Sequence, residues 1–243
     1  TGRGTNKETS AYVTKNIPDY QLMMNGQGFM HYDNEESEES LLKNNENINE
    51  NFSKKMGLNS DDTFAYIYGL LNSKDYHKKY NSDLKKDLPH IPNVKNKDKY
   101  VEIGKKLMDL HLNYEKVPVF KDVVIEIKDN PSYKVKKMKF AKVRNTKTGK
   151  LENDHSTIIF NTDITIKNIP EKAYEYIVNG RSAIEWIMDQ YRIKKDNKSG
   201  IIDDPNDFSD DSKYIFNLLL RIINVSAQTV DLVNSLPKLE IID

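Results

Sequence analysis

The stretch Tyr66-Ile67-Tyr68-Gly69-Leu70-Leu71-Asn72-Ser73, continuing through Tyr76 and Tyr80 to Asp87-Leu88-Pro89-His90-Ile91-Pro92, decides the fold of the first half of the chain. Phe64, Ile67, Tyr68 and Leu71 recur at helical spacing and predict one apolar helix face. Ser60 is the expected N-cap, and Asp61 and Asp62 complement the positive end of the helix dipole. A second helix through Tyr76 and Tyr80 follows, and Pro89 and Pro92 stop the block because proline has no amide hydrogen to give. Tyr100, Ile103, Leu107 and Leu110 then mark a further helix from about Asp98 to Asn113.

The pattern changes after Pro118. Val123-Val124-Ile125-Glu126-Ile127 is β-branched and predicts a strand. Tyr133, Val135, Met138, Phe140 and Val143 nearly alternate with lysines, as half-buried strands do, and Thr146-Lys147-Thr148-Gly149 reads as a turn. Ser156 to Phe160 and Asp163 to Lys167 predict two more short strands around a tight turn at Asn161-Thr162. Pro170 opens a predicted helix through Tyr176, and Ser182 caps another carrying Ile184, Ile187 and Met188. A long helix from Tyr214 to about Leu236 closes the chain. The expected class is α+β: helical segments flanking a small, mostly antiparallel sheet, with a long C-terminal helix.

Towards the N-terminus, Ala11-Tyr12-Val13-Thr14 is strand-like, and the absence of a first methionine predicts a cut inside a longer protein. Residues 33–59 are acidic, Asn-rich and poor in large apolar groups, so a mobile linker is expected before a domain over 60–243. No signal segment opens the chain and no run approaches the roughly 18 apolar residues of a membrane span. The chain has no cysteine, which excludes a disulfide framework and makes a structural zinc site improbable.

Net charge is zero, which argues against a generic nucleic-acid binder, yet the charges are sorted along the chain. Glu35, Glu36, Glu38 and Glu39 lie in an acidic run, and Asp203 to Asp211 is acidic again. Between them, every charged residue from Lys134 to Lys150 is positive: Lys134, Lys136, Lys137, Lys139, Lys142, Arg144, Lys147 and Lys150. Alternation would place one row of these cations on the open face of a sheet, facing either phosphates or solvent. Arg144 and Asn145 are of the types that read guanine and adenine edges. Asn179-Gly180-Arg181-Ser182 precedes a helix; Arg181 either helps hold a phosphate there or, as the blander account has it, pairs with Glu185. Trp186 on that helix is expected in the core. The histidines show no metal-type spacing, Asp109-Leu110-His111 reads as a packing and capping cluster, and Asp203–Asp211 lacks the glycine and terminal glutamate of a calcium loop.

Three ordered stretches, spanning roughly residues 64 to 236, carry a family resemblance. They are Tyr66–Pro92; Gly104-Lys105-Lys106-Leu107 with Leu110-His111-Leu112-Asn113-Tyr114-Glu115; and Asn179-Gly180-Arg181-Ser182-Ala183-Ile184-Glu185-Trp186-Ile187-Met188 followed by Ser199 to Asp207. In that order they resemble the C-terminal specificity, or target-recognition, domain of type ISP and Eco57I-like single-chain restriction-modification enzymes. The resemblance implies double-stranded DNA as partner, together with a methyltransferase domain of the same parent chain, to which residues 1–32 would be the junction. It implies a bacterial, cytoplasmic setting and no membrane. The implied task is to read a short site, present an adenine and gate cleavage, with no catalytic or metal-binding residue in this chain. S-adenosylmethionine, Mg2+ and ATP would serve the parent enzyme. There is no Gly-x-Gly-x-x-Gly after a strand, no P-loop and no Asn/Asp-Pro-Pro-Tyr/Phe here, which agrees with that division. The expected DNA-binding residues are Lys134, Lys136, Lys137, Lys139, Lys142, Arg144, Asn145 and Lys147, with Arg181, Arg192 and Lys194 as further candidates. The three matched stretches should be mostly scaffold. A metal-dependent hydrolase and a protein-interaction module using the acidic linker are the competing classes.

Overall fold

Residues 9–18, 27–33 and 45–242 are described by the structure, a computed structural model. The chain divides into two compact units: a helical unit of residues 1–112, 178–180 and 231–243, and a sheet unit of residues 113–177 and 181–230. The change of pattern after Pro118 falls close to the division at Asn113.

In the helical unit a two-residue pair, β1 (Tyr32–Asp33) with β2 (Asn45–Glu46), precedes α1 (Glu50–Met56). Asn49 caps α1 by accepting from the Phe52 N–H, and Gly57 ends it in the left-handed conformation, φ 65°. Met56 is 1% exposed and Ser53 Oγ lies 3.1 Å from Thr63 Oγ1. Residues 49–57, which composition assigned to a mobile linker, are thus a capped and packed helix; residues 34–44 of that stretch lie outside the described residues. The Ala11–Thr14 segment forms no strand.

Helices α2 (Ser60–Leu71), α3 (Lys74–Tyr80) and α4 (Lys97–Leu112) follow. Asn59, one residue before the expected cap, accepts from Asp62 N–H at 2.7 Å, and Ser60 is buried as the first helical residue. Ala65, Tyr66 and Leu70 lie deepest in α2, whereas Phe64, Ile67 and Leu71 are only partly buried. A one-face pattern could not foresee this, because α2 is covered on two sides: Tyr66 and Leu70 pack with Met56, Tyr76 and Tyr100, while Tyr68 packs with Ile103 and Leu107. α2 and α4 meet at Gly69 and Gly104, where a methyl group on Gly69 would stand 2.5 Å from Tyr100 O. Buried tyrosine hydroxyls then fix the connections. Tyr66 and Tyr76 donate to Pro92 O and His90 O, both at 2.6 Å, so the proline corner is held through its own carbonyls. Tyr100 donates to Pro237 O at 2.9 Å, and the C-terminal segment pairs back through Lys95 N–H to Glu240 O and Ile242 N–H to Asn93 O.

The sheet unit is built on four antiparallel strands in the order β3 (Val124–Ile127), β6 (Ile164–Lys167), β5 (Leu151–Ile159), β4 (Lys139–Arg144). Phe140, Ile158, Ile166 and Ile125 align across the four strands in one row, and directly paired residues share a face. That face packs with Ile215, Leu218, Leu219 and Ile223 of α6 (Tyr214–Asn234) and with Ile184 of α5 (Ala183–Gln190). α6 is long and apolar enough to cross a membrane, yet 67% of its apolar window is buried inside the protein. Short pieces follow in the chain: a turn of 3-10 helix at Glu171–Tyr174, where a helix to Tyr176 was expected, a pair of β7 (Ile177–Val178) and β8 (Arg181–Ser182), a hairpin of β9 (Lys194–Lys195) and β10 (Ile202–Asp203), and a second 3-10 turn at Pro205–Asp207.

The lysine-rich segment departs most from expectation. A strand was predicted from Tyr133, but pairing begins only at Lys139. Val135 and Met138, buried at 1% and 3% exposure, are three residues apart, a spacing that a strand cannot bury on one face. The Asn206 side chain takes the place of a neighbouring strand: it accepts from Val135 N–H at 2.8 Å and donates to Val135 O at 2.9 Å. β5 also begins earlier than expected, at Leu151.

Candidate nucleic-acid interface

β4 and β5 form a hairpin whose outer half extends beyond the core. Its register shifts between Phe140 and Ala141, after which Ala141 pairs with Asp154, Lys142 with Asn153, Val143 with Glu152, and Arg144 with Leu151. Because paired residues share a face, Lys142 and Arg144 stand on one side and Glu152 and Asp154 on the other. Lys142 and Arg144 are therefore not neutralised by the carboxylates of β5. The expected single row of lysines is not what forms. Lys134, Lys136 and Lys137 lie on the irregular segment before β4, while Lys139 and the pair Lys142 and Arg144 alternate on opposite faces.

Among the described residues, no carboxylate stands within 4.0 Å of Lys134, Lys136, Lys137, Lys139, Lys142, Lys147 or Lys150, whereas Lys54, Lys95, Lys99, Lys106 and Lys167 elsewhere all have such partners. Eight positive residues from Lys134 to Lys150 against the two acids Glu152 and Asp154 leave a net of +6 over residues 134–154. Lys142 Nζ donates to Asn153 Oδ1 at 2.7 Å and Arg144 Nη1 to Gly149 O at 2.8 Å. Arg144 keeps the other guanidinium N–H groups unengaged. Asn145 differs: its amide nitrogen donates to Glu152, 2.9 Å from each carboxylate oxygen, and its Oδ1 accepts from the Lys147 and Thr148 N–H groups. Its side chain is committed to shaping the loop.

Arg181, Arg192 and Lys194 lie together on a second segment. Arg181 and Arg192 share the Asp189 carboxylate, at 3.4 and 3.3 Å, and the Arg181 guanidinium also lies 5.2 Å from the centre of the Trp186 ring. Arg181 does not pair with Glu185, because Glu185 closes a capping box with Ser182, donated to by the Ser182 N–H at 3.1 Å and hydroxyl at 2.7 Å. Trp186, expected in the core, is half-buried beneath that arginine. The Ile193 N–H donates to Lys136 O at 3.0 Å, so the structure brings the Arg192–Lys194 segment against the lysine-rich one. Asn206, which pins Val135, and Asn161, which donates to Ser132 O and Lys134 O at 2.7 and 3.0 Å, are positioning residues that no sequence pattern announced.

Among the described residues no group of three or more His, Asp or Glu side chains stands close enough to hold a metal ion. His111 instead packs in the helical unit, its Nδ1 2.6 Å from the Tyr68 hydroxyl, and burial holds its pKa down at about 4.

An α+β module with a glycine-packed helical unit and a sheet unit that carries a basic hairpin is the class of protein defined here. The chain belongs to the type ISP C-terminal specificity domain family, whose sequence model matches residues 1–218. It is similar to the type ISP restriction-modification enzyme LlaGI, solved as a nuclease-deletion mutant with a DNA substrate mimic: 59% identity, TM-score 0.67, covering 76% of this chain and 14% of that one. It is also similar to the ATP-dependent type ISP enzyme LlaBIII bound to DNA, at 50% identity and TM-score 0.73, covering 86% of this chain and 13% of that one. A DrdV–DNA complex shares the fold at 22% identity and TM-score 0.78, covering 98% of this chain and 24% of that one. The chain thus spans well under a third of the length of each of these proteins. No curated protein gives a significant match.

Proposed function

We propose that this chain is the DNA target-recognition module of a type ISP restriction-modification enzyme, binding duplex DNA and positioning a target adenine for an attached methyltransferase domain. On this reading it performs no catalysis itself, and S-adenosylmethionine, Mg2+ and ATP are used by other domains of the intact cytoplasmic enzyme. The observation that carries it is the run of seven lysines without a carboxylate partner among the described residues, in a chain of zero net charge. A fold that kept seven clustered lysines only for solubility would gain by interspersing them with acids. Unpaired cations on a protruding hairpin instead suit a polyanion, since each phosphate contact releases condensed counterions. Lys134, Lys136, Lys137, Lys139, Lys142 and Lys147 take phosphates and set register; Arg144 reads a base edge; Asn145 acts through the loop it shapes. Arg181, Arg192 and Lys194 extend the same surface, with the two arginines partly offset by Asp189.

Two substitutions separate these roles. Lys136→Ala should weaken binding to all duplexes alike and flatten the dependence of log K on log salt by about one unit. Arg144→Ala should cost about 1–3 kcal/mol on the cognate duplex and far less on a scrambled one. Unchanged affinity in both variants, or metal-dependent hydrolysis by the unsubstituted chain, would overturn the proposal.

A further inference from the structure

Two hairpin loops of the sheet unit are built on one plan, and only the first has been given a role. In Asn145-Thr146-Lys147-Thr148-Gly149-Lys150 the Asn145 N–H donates to Lys150 O at 2.8 Å and the Gly149 N–H to Asn145 O at 2.8 Å. Asn145 Oδ1 accepts from the Lys147 and Thr148 N–H groups at 2.9 and 3.0 Å, and Thr148 Oγ1 from the Lys150 N–H at 3.4 Å. In Asp196-Asn197-Lys198-Ser199-Gly200-Ile201 every one of these bonds recurs. Asp196 N–H donates to Ile201 O and Gly200 N–H to Asp196 O, both at 2.9 Å. Asp196 Oδ1 accepts from Lys198 and Ser199 N–H groups at 2.9 and 2.7 Å, and Ser199 Oγ from the Ile201 N–H at 3.3 Å. Gly149 and Gly200 take φ of 69° and 74°, and a methyl group on either would meet nothing within 4 Å, so both tips stand clear of the protein.

We propose that the β9–β10 hairpin is a second DNA-contacting arm, with the Lys198 ammonium taking a backbone phosphate as Lys147 does on the first arm. This rests on the DNA-recognition reading above. The loop plan itself needs the Asx side chain to close the turn and the glycine for its positive φ. It does not need a lysine at the third position, yet both loops have one, exposed and without a carboxylate within 4.0 Å among the described residues. Asp196 is the one acid at the second tip, and its Oδ1 is turned into the loop, accepting from two N–H groups and the Ser199 hydroxyl. Lys194 and Lys195 lie on β9, where Asp203 of β10 pairs opposite Lys194, so the charge of this arm is balanced at its base and Lys198 stands at its tip. The bond from Ile193 N–H to Lys136 O joins the base of the second arm to the segment that leads into the first. Two rigid, lysine-tipped loops that rise from neighbouring backbone suit one extended polyanion better than two separate partners.

The test is binding of the full chain to a mixed-sequence DNA duplex across a salt series, for Lys147→Ala, Lys198→Ala, the double variant, Lys136→Ala, and Lys78→Ala in α3 as control. Both tip lysines are exposed, so all variants should fold, which circular dichroism checks. Each tip substitution should lower the salt slope by about 0.9 and the affinity at about 0.1 M salt by roughly five- to tenfold, the double variant by both together. Lys78→Ala should change neither. A fall for Lys147→Ala and Lys136→Ala with no change for Lys198→Ala would overturn the second arm and leave the recognition reading standing. No change in any variant, or no binding by the unsubstituted chain, would overturn both.

Discussion

Gly104→Ala should destabilise the helical unit although it improves helix propensity. An added methyl group would lie 2.8 Å from Ala65 C and 3.1 Å from Gly69 N, with Ala65 O closer still. These are peptide atoms of the facing helix, which cannot rotate away as a side chain would. Restoring ordinary contact at Ala65 C alone, at about 3.5 Å, moves α2 by roughly 0.7 Å, and relieving Ala65 O moves it further. A gap of that size forfeits a quarter to a half of each dispersion contact along the seam. Tyr66, Leu70, Tyr100, Ile103 and Leu107, all buried there, would feel it. Overpacking costs typically about 1–3 kcal/mol and more where the clash is with backbone, so about 3–5 kcal/mol is expected here. Replacing glycine in a helix returns about 1 kcal/mol. The net is a loss of about 2–4 kcal/mol, or roughly 4–16 °C in Tm for a chain of this size. Gly69→Ala, whose methyl group would meet Tyr100 O at 2.5 Å, should also destabilise, by less. Thermal unfolding followed by circular dichroism measures both. A Tm unchanged or raised by Gly104→Ala would mean that propensity governs and the helices do not approach this closely.

Three further outcomes are open to measurement. His111 must stay neutral to remain buried against Tyr68, with its pKa at about 4 in the fold and about 6.5 in the unfolded chain. Stability is therefore full above pH 6.5 and falls as pH drops from 6.5 towards 4, by up to about 3 kcal/mol; denaturant titrations at pH 7 and pH 4 should differ less in His111→Gln than in the unsubstituted chain. Asn206→Ala removes both bonds to the Val135 backbone, so a loss of about 2–3 kcal/mol and faster amide exchange at Val135 are expected; unchanged exchange would show that another group holds the segment. Met56→Ala should cost about 2–5 kcal/mol, whereas a mobile segment at that position would lose nothing measurable.

Legibility in the sequence followed the physics of each element. α4 and α6 were readable almost to the residue because long, strongly periodic apolar stripes report burial directly. α1 was not: seven residues with only Phe52 and Met56 apolar look unstructured, and the packing that stabilises them comes from residues distant in sequence or from single hydroxyl contacts. The lysine-rich segment misled in a different way. Alternation of Lys with Val, Met and Phe imitates a strand, but the partner that pairs with Val135 is a side-chain amide from Asn206, and side-chain mimicry of a strand leaves no periodic signal. Arg181 was read against Glu185 by helical spacing, yet the capping box took Glu185 first and left Asp189 for the arginine.

The stretches that identify the family and the residues proposed to meet DNA differ in what the fold demands of them. Gly69 and Gly104 are fixed by a helix crossing too close for a methyl group. Tyr66, Tyr76 and Tyr68 are fixed because each buried hydroxyl meets one stated partner, and loss of any hydroxyl would strand a buried acceptor. Ser182 and Glu185 are fixed by a reciprocal cap. Each of these groups is held by a contact inside the fold. At the tip of the β4–β5 hairpin Asn145, Thr148 and Gly149 close the loop; Thr146, Lys147 and Lys150 could be exchanged without loss of a side-chain bond to its backbone. The proposed recognition role is served by that separation. Substitutions that retune its DNA preference should therefore come at low cost in stability on the hairpin tips, and at high cost anywhere in the glycine and tyrosine seam of the helical unit.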